Sequence, residues 1–124
     1  LKKWLEKTVF ILKNLKNNIM RDLKFRVYDS ISKIIHNWES IKNLPLTDFD
    51  LEHYTLEQFT GLKDKNGVNI YEGDILGRVY VTKKGHFETL EVKFLVYSWN
   101  IKPSAYLFES EVIGNIHENK YLIK

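Results

Sequence analysis

The sequence predicts a mainly β (α+β) domain, a small and strongly bent sheet or barrel, with an N-terminal helical extension. Three observations predict it. From Asp74 onward apolar residues recur every second position, the period of a strand. Short apolar runs are divided by turn residues, most clearly in TGLKDKNGVNIYEGD (60–74). A stretch of helical spacing with a run of lysines opens the chain.

The chain has 124 residues, the size of one domain, and enough to bury a core without disulfides or a metal. It contains no cysteine, which excludes Cys-ligated zinc, iron–sulfur clusters and a cysteine nucleophile, and fits a reducing compartment. No apolar run approaches the roughly 18 residues of a membrane span. Net charge is +3 and the pI about 9.0, but the charge is unevenly placed. Residues 1–19 hold five lysines against one glutamate; of the 19 basic and 16 acidic residues in the whole chain, 14 and 15 remain for residues 20–124. The body is therefore close to neutral, a poor basis for non-specific DNA binding. Sixteen lysines against three arginines read as AT-rich coding, hence a low-GC organism or its phage.

Residues 1–19 place Leu1, Trp4, Leu5, Leu12, Leu15 and Ile19 at roughly helical spacing with lysines between them. A basic amphipathic helix of this kind either touches a surface or packs on the domain. Met20 is the sole methionine, so residues 1–19 also read as upstream sequence ahead of a domain spanning 20–124.

KFRVYD (24–29) and YTLEQFT (54–60) have strand composition. Between them Ile31, Ile34, Ile35, Trp38 and Ile41 recur at helical spacing behind two capping candidates, Asp29 and Ser30, so period alone makes 31–42 a helix. In 60–74, Asn66–Gly67 is a strong turn dipeptide. Asp64 can accept backbone N–H groups of the same turn, and Gly73 with Asp74 makes a second corner. A phosphate cradle would need more glycines and a following helix, and a strand follows here. DILGRVYVT (74–82) sets Ile75, Gly77 and Val79 on one face, with Leu76, Arg78 and Tyr80 on the other. A turn at KKGH (83–86) leads to FETLEVKFLVYS (87–98), which puts Leu90, Val92, Phe94 and Val96 on a common face. Closing the hairpin on that turn pairs Val79 with Leu90 and Arg78 with Glu91. Pro103 marks a loop or strand edge, and short strands follow at 105–109 and 111–116, with Gly114 suggesting a bulge or a tight bend.

Little of this is chemistry. His36, His53, His86 and His117 lack the i, i+2 to i+4 pairing of a zinc site, and each reads as an exposed loop or strand residue. Glu72/Asp74 and Glu109/Glu111 could turn paired carboxylates toward Mg²⁺ or Ca²⁺, but solubilising charge is the commoner use. No serine lies in a Gly-x-Ser-x-Gly elbow. Neither catalytic nor metal residues, and no cofactor, are predicted. Arg78, Tyr80, Lys93 and Tyr97 form a predicted outer surface where aromatics beside cations suit a partner or single-stranded nucleic acid.

MRDLKFRVYD (20–29), QFTGLKDKNGVNIYEGDIL (58–76) and EVIGNIHEN (111–119) resemble the three hallmark blocks of the YopX-like phage protein family, in order and approximate spacing. The resemblance covers nearly all of 20–124. Tyr28 stands where the family often has Trp, and 31–41 is more apolar than the usual connection. The resemblance implies an SH3-like barrel, a strand near 33–37 rather than a helix, and an origin in phages or prophages. It places the protein in the cytoplasm of the bacterial host and supplies no catalytic residues. The expected role is a non-enzymatic accessory module that binds a protein partner or itself, forming a homo-oligomer through open sheet edges. The alternatives are a single-stranded nucleic-acid-binding barrel and, more remotely, a metal-dependent hydrolase.

Overall fold

The computed structural model describes residues 1–3, 5–7, 22–50, 52–79, 87–101 and 109–123. Within them the alternating runs become strands. β1 (Phe25–Asp29), β2 (Ile34–His36), β3 (Tyr54–Lys63) and β4 (Asn69–Tyr71) form a sheet in the order β2-β1-β3-β4. β5 (Asp74–Val79), β6 (Phe87–Glu91) and β7 (Glu111–Asn115) form another in the order β6-β5-β7. Every pairing is antiparallel, and the whole curls into a half-barrel. The expected mainly β fold is the observed one.

The contested segment divides between its two readings. Asp29 accepts the N–H groups of Ile31 (2.8 Å) and Ser32 (3.3 Å) and the Ser32 hydroxyl (2.6 Å). Lys33 takes a left-handed φ of 62° and the chain returns as β2, with Tyr28 opposite Ile35. Only then does a short helix form, α1 (Trp38–Ile41), capped by the Asn37 side chain on the Ser40 N–H and burying Ile41. Asp29 therefore closes a hairpin turn rather than starting a helix. The run of isoleucines straddles that turn, and its helical spacing is coincidental.

β5 is the central strand of its sheet and is covered on both faces, since the consecutive residues Ile75 and Leu76 are both fully buried. Leu76 belongs to the main core with Ile70, Val92, Trp99 and Ile101, against which Leu62, Leu90 and Val112 pack. The hairpin register differs from expectation by three residues. Leu76, not Val79, lies opposite Leu90, and Arg78 lies opposite Glu88 instead of Glu91. An odd shift changes which face of β5 meets Leu90. The observed register sets Thr89 opposite Gly77 and brings the Phe87 ring diagonally over it, where a Cβ would come within 2.7 Å of that ring. The expected turn at 83–86, and Tyr80, lie outside the described residues.

On the other edge of β5, Ile75 faces Gly114 and Leu76 faces Val112, so Ile113 is the extra residue of a bulge beside the predicted glycine. The strand expected at 105–109 lies almost wholly outside the described residues. β4 has no counterpart in the sequence reading, being only three residues long after the Asn66–Gly67 turn. Of the leader, residues 2–3 and 5–7 are helical, with the Leu5 N–H donating to the Leu1 carbonyl at 2.9 Å; residues 8–19 lie outside the description. No helix among the described residues is long and apolar enough to cross a membrane.

Two glycine corners set the relative placement of the strands. Gly67 has φ 79° in open space, and the Asn66 and Val68 N–H groups around it donate to Asp64 Oδ1 at 2.8 and 3.0 Å. Gly73 has φ 83° and joins the sheets, donating to the Val92 carbonyl and accepting from the Ile116 N–H, both at 2.9 Å. A Cβ on Gly73 would stand 2.6 Å from Glu57 Oε1. Gly67→Ala should therefore cost only the left-handed backbone strain, about 1–2 kcal/mol. Gly73→Ala should add displacement of a buried carboxylate and cost about 4 kcal/mol or more. Urea midpoints of the two variants test this, and equal losses would contradict it.

Candidate functional site

The curled sheet brings four ionisable side chains together in its interior. Arg26 projects from β1, Glu57 from the facing position on β3, Asp74 from the start of β5, and His117 from the turn after β7. Arg26 and Glu57 share a face because they are directly paired across the β1–β3 ladder. Arg26 Nε donates to Glu57 Oε2 at 2.6 Å, Nη1 reaches Asp74 Oδ1 at 2.7 Å, and Nη2 donates to the Glu72 carbonyl at 3.2 Å. His117 Nε2 pairs with the second oxygen of Glu57, and the second oxygen of Asp74 accepts the Tyr71 N–H at 2.8 Å. Glu57 and Asp74 are each 2% exposed.

Aromatic rings close the cluster. The Tyr28 ring stacks on His117 with centroids 3.8 Å apart and planes 15° from parallel. The Arg26 guanidinium lies 5.0 Å from the Tyr71 ring centroid, in cation–π range. Burial alone would pull the Arg26 pKa down, but the Asp74 and Glu57 charges outweigh it and hold it above its ordinary value. Burial pushes the Asp74 carboxyl up, because one guanidinium is shared with Glu57 and only partly offsets the lost water. Burial likewise raises the Tyr71 phenol, with Arg26 opposing and Asp74 adding to the shift.

Another buried carboxylate closes the other end of the sheet. Asp64 accepts the two turn N–H groups through Oδ1 and the Val112 N–H through Oδ2 at 2.9 Å, strapping the β3–β4 turn to β7. Burial works to raise its pKa, but these three donors prevail and hold it below the usual carboxylate range.

A groove beside the network is lined by Leu56, Glu57, Glu72, Glu91, Val92 and Lys93, among others. Both oxygens of Glu57 are engaged inward, and Lys93 is paired with Glu91 at 3.1 Å. Of the expected acid pairs, Asp74 is bound to Arg26, Glu109 lies 3.7 Å from Arg78, and Glu111 lies 3.8 Å from Lys65. No cluster of three or more potential metal ligands occurs among the described residues. The arrangement is an internal brace, its polar valences largely spent on one another.

Of the predicted outer surface, Arg78 is turned inward, its side chain 12% exposed and ion-paired with Glu88 and Glu109. Lys93 and Tyr97 face solvent on a second small hairpin, residues 93–100. The Asn100 N–H donates to the Lys93 carbonyl (2.9 Å), the Lys93 N–H to Asn100 Oδ1 (2.9 Å), and Asn100 Nδ2 to the Glu91 carbonyl (2.7 Å). Phe94 bridges to Trp99 with rings edge-on at 4.9 Å, and the Leu95 N–H donates to the Ser98 carbonyl at 2.6 Å. The tip is apolar: Val96 is 83% and Tyr97 94% exposed, with Phe94 and Leu95 about half exposed beside them. The alternation expected to bury Phe94 and Val96 with Leu90 and Val92 fails because the strand ends at Glu91.

His117 is a correction to the reading of every histidine as exposed: its side chain is 12% exposed. Sequence reasoning did not bring the four network residues together, yet a signal existed. Arg26, Asp74 and His117 each lie in a different hallmark block, and Glu57 immediately precedes the central one. The blocks converge on this brace.

Comparison with known proteins bears out the family resemblance. Residues 10–124 match the family described as YopX protein. The chain belongs to the YopX family. No curated protein matches it. A similar solved structure, the crystal structure of protein EF1440 from Enterococcus faecalis, superposes with a TM-score of 0.61 at 28% identity, covering 83% of this chain and 99% of that one. This YopX-family chain therefore shares its curled β fold with a crystallographically observed relative.

Truncating Glu57 strips the buried Arg26 guanidinium of one of its two carboxylates and leaves His117 Nε2 without its partner. Glu57→Ala should cost about 3–5 kcal/mol of stability. Lys42→Ala, which removes an exposed i, i+3 ion pair with Glu39, should cost under about 1 kcal/mol. Denaturant titration distinguishes them, and a Glu57 loss no larger than the Lys42 loss would refute the brace.

Proposed function

We propose that this YopX-family protein is a non-enzymatic interaction module, a phage or prophage accessory protein acting in the host cytoplasm, that docks through the 93–100 hairpin. The observation that carries this reading is the contiguous exposed apolar tip, Phe94, Leu95, Val96 and Tyr97, on a loop already fixed by its own hydrogen bonds. Burying a Val side chain fully is worth about 1.5–3 kcal/mol, and a larger ring adds contact area. A preordered loop loses little conformational freedom on docking. The internal commitment of Arg26, Glu57, Asp74 and His117 supports a binding rather than a catalytic role.

The partner class is a folded protein, with a second copy of this chain the simplest case. Sedimentation over a concentration series, and recovery of bound protein from host cells, should both respond to the double substitution Val96→Ser with Tyr97→Ser. Association should weaken more than about tenfold, the equivalent of 1.4 kcal/mol, while the urea midpoint moves by less than about 0.5 kcal/mol equivalent. If no association of either kind depends on the tip, the reading fails.

A second reading is favoured by one observation: Lys93 and Tyr97, a cation and a stackable ring, remain solvent-facing on the same hairpin. A single-stranded nucleic-acid binder would bind a labelled oligonucleotide with affinity falling steeply as salt rises, and Lys93→Ala with Tyr97→Ala would abolish it. Absence of binding at low salt eliminates it.

A further inference from the structure

Of all the asparagines in the chain, Asn66 alone precedes a glycine, and it lies at the exposed apex of the β3–β4 hairpin. We propose that Asn66–Gly67 is a self-modification site, where intramolecular deamidation converts Asn66 to aspartate and isoaspartate and loosens the Asp64 strap between this turn and β7. Nothing in the proposed docking role requires this.

The reagents are present in the chain and in water. The Gly67 backbone nitrogen, on losing its proton to solvent base, attacks the Asn66 side-chain carbonyl carbon. The bond to Nδ2 breaks, ammonia leaves with that proton restored from solvent, and a five-membered succinimide remains. Water then adds at either imide carbonyl. Opening at the side-chain carbonyl gives aspartate, and opening at the main-chain carbonyl gives isoaspartate. The balance is one amide and one water converted to one acid and one ammonia, with no oxidation or reduction.

The folded turn places few restraints on the reacting groups. Gly67 carries no side chain, and nothing lies within 4 Å of where its Cβ would stand, so no neighbouring side chain crowds this end of the turn. The Asn66 amide is held by one long hydrogen bond, Nδ2 to Glu111 Oε2 at 3.2 Å. The restraint on the nucleophile is the Gly67 N–H bond to the Asp64 carbonyl at 3.0 Å, a single bond in an exposed turn that opens locally without global unfolding.

The structural effect depends on the bonds that the turn carries. Asp64 Oδ1 gathers the Asn66 and Val68 N–H groups while Oδ2 holds the Val112 N–H, and the Lys65 N–H donates to the Ser110 carbonyl at 3.0 Å. Isoaspartate adds a methylene to the main chain between those donors, so one carboxylate cannot keep all three. Either product also exchanges a donor facing Glu111 for a negative charge, beside Asp64, already an anion.

The test is to incubate the intact protein at mildly alkaline pH, digest with trypsin, and follow peptide 66–78 by mass spectrometry with isoaspartate-specific methylation. A synthetic 66–78 peptide extended by its N-terminal neighbours serves as reference. The folded protein should convert within about tenfold of the reference rate, because only one turn bond must open. Asn66→Gln should stop the conversion. In aged wild type the Val68 and Val112 amides should exchange hydrogen faster, and in fresh Asn66→Asp less so, since that variant carries the charge without the added methylene. A folded protein that stays unconverted while the reference converts overturns the proposal. So does unchanged exchange at Val112 in fully converted material.

Discussion

One guanidinium shared by two buried carboxylates organises this molecule. Arg26 belongs to the first sheet, Asp74 to the second, and Glu57 to the strand between Arg26 and β4. Removing three charges from water is expensive, and such a cluster persists only where geometry supplies every charge with a partner. The half-barrel does so by curling until β1, β3 and β5 meet. Gly73 allows that approach, since its position is occupied up to the Glu57 carboxylate and its backbone is left-handed. His117 caps the remaining Glu57 oxygen and Tyr28 covers His117. An apolar core alone would tolerate sliding between the sheets. A charge network with fixed directions specifies one arrangement.

The same economy separates the inside of the protein from its outside. Asp64, Asp74 and Glu57 spend their oxygens on backbone and side-chain donors within the chain. Arg78, placed by alternation on an outer face, is largely buried among acids because β5 is covered on both sides. The 93–100 hairpin behaves in the opposite way. Its polar backbone groups are satisfied close to its base, and its apolar side chains at the tip point outward. A buried charge network beside the apolar core and an exposed apolar tip are the two departures from the usual distribution.

Much of the fold was legible because its causes are local. The strands at 24–29 and 54–60 and the Asn66–Gly67 turn depend on period and on residues adjacent in sequence. So do the Gly73–Asp74 corner and the bulge beside Gly114, whereas β3 runs on through Gly61, which read as a corner. The segment after Asp29 was legible only in part, since its isoleucines fit a helix equally well and a side-chain turn at Asp29 decided for a hairpin. The register of β5 on β6 was misread by three residues. Alternation leaves several pairings open, and in the one adopted Phe87 and Ile113 fill the space above Gly77.

Sequence alone determined the class of the fold, the corners at Gly67 and Gly73 and the family, because spacing and turn chemistry act within a few residues. Tertiary structure alone decided which charges were buried. Arg26 and Glu57 are 31 residues apart, and Glu57 and His117 are 60 apart. No local pattern distinguishes a charge that will be enclosed from one that will be solvated. That distinction is made only when the sheet closes and removes the water.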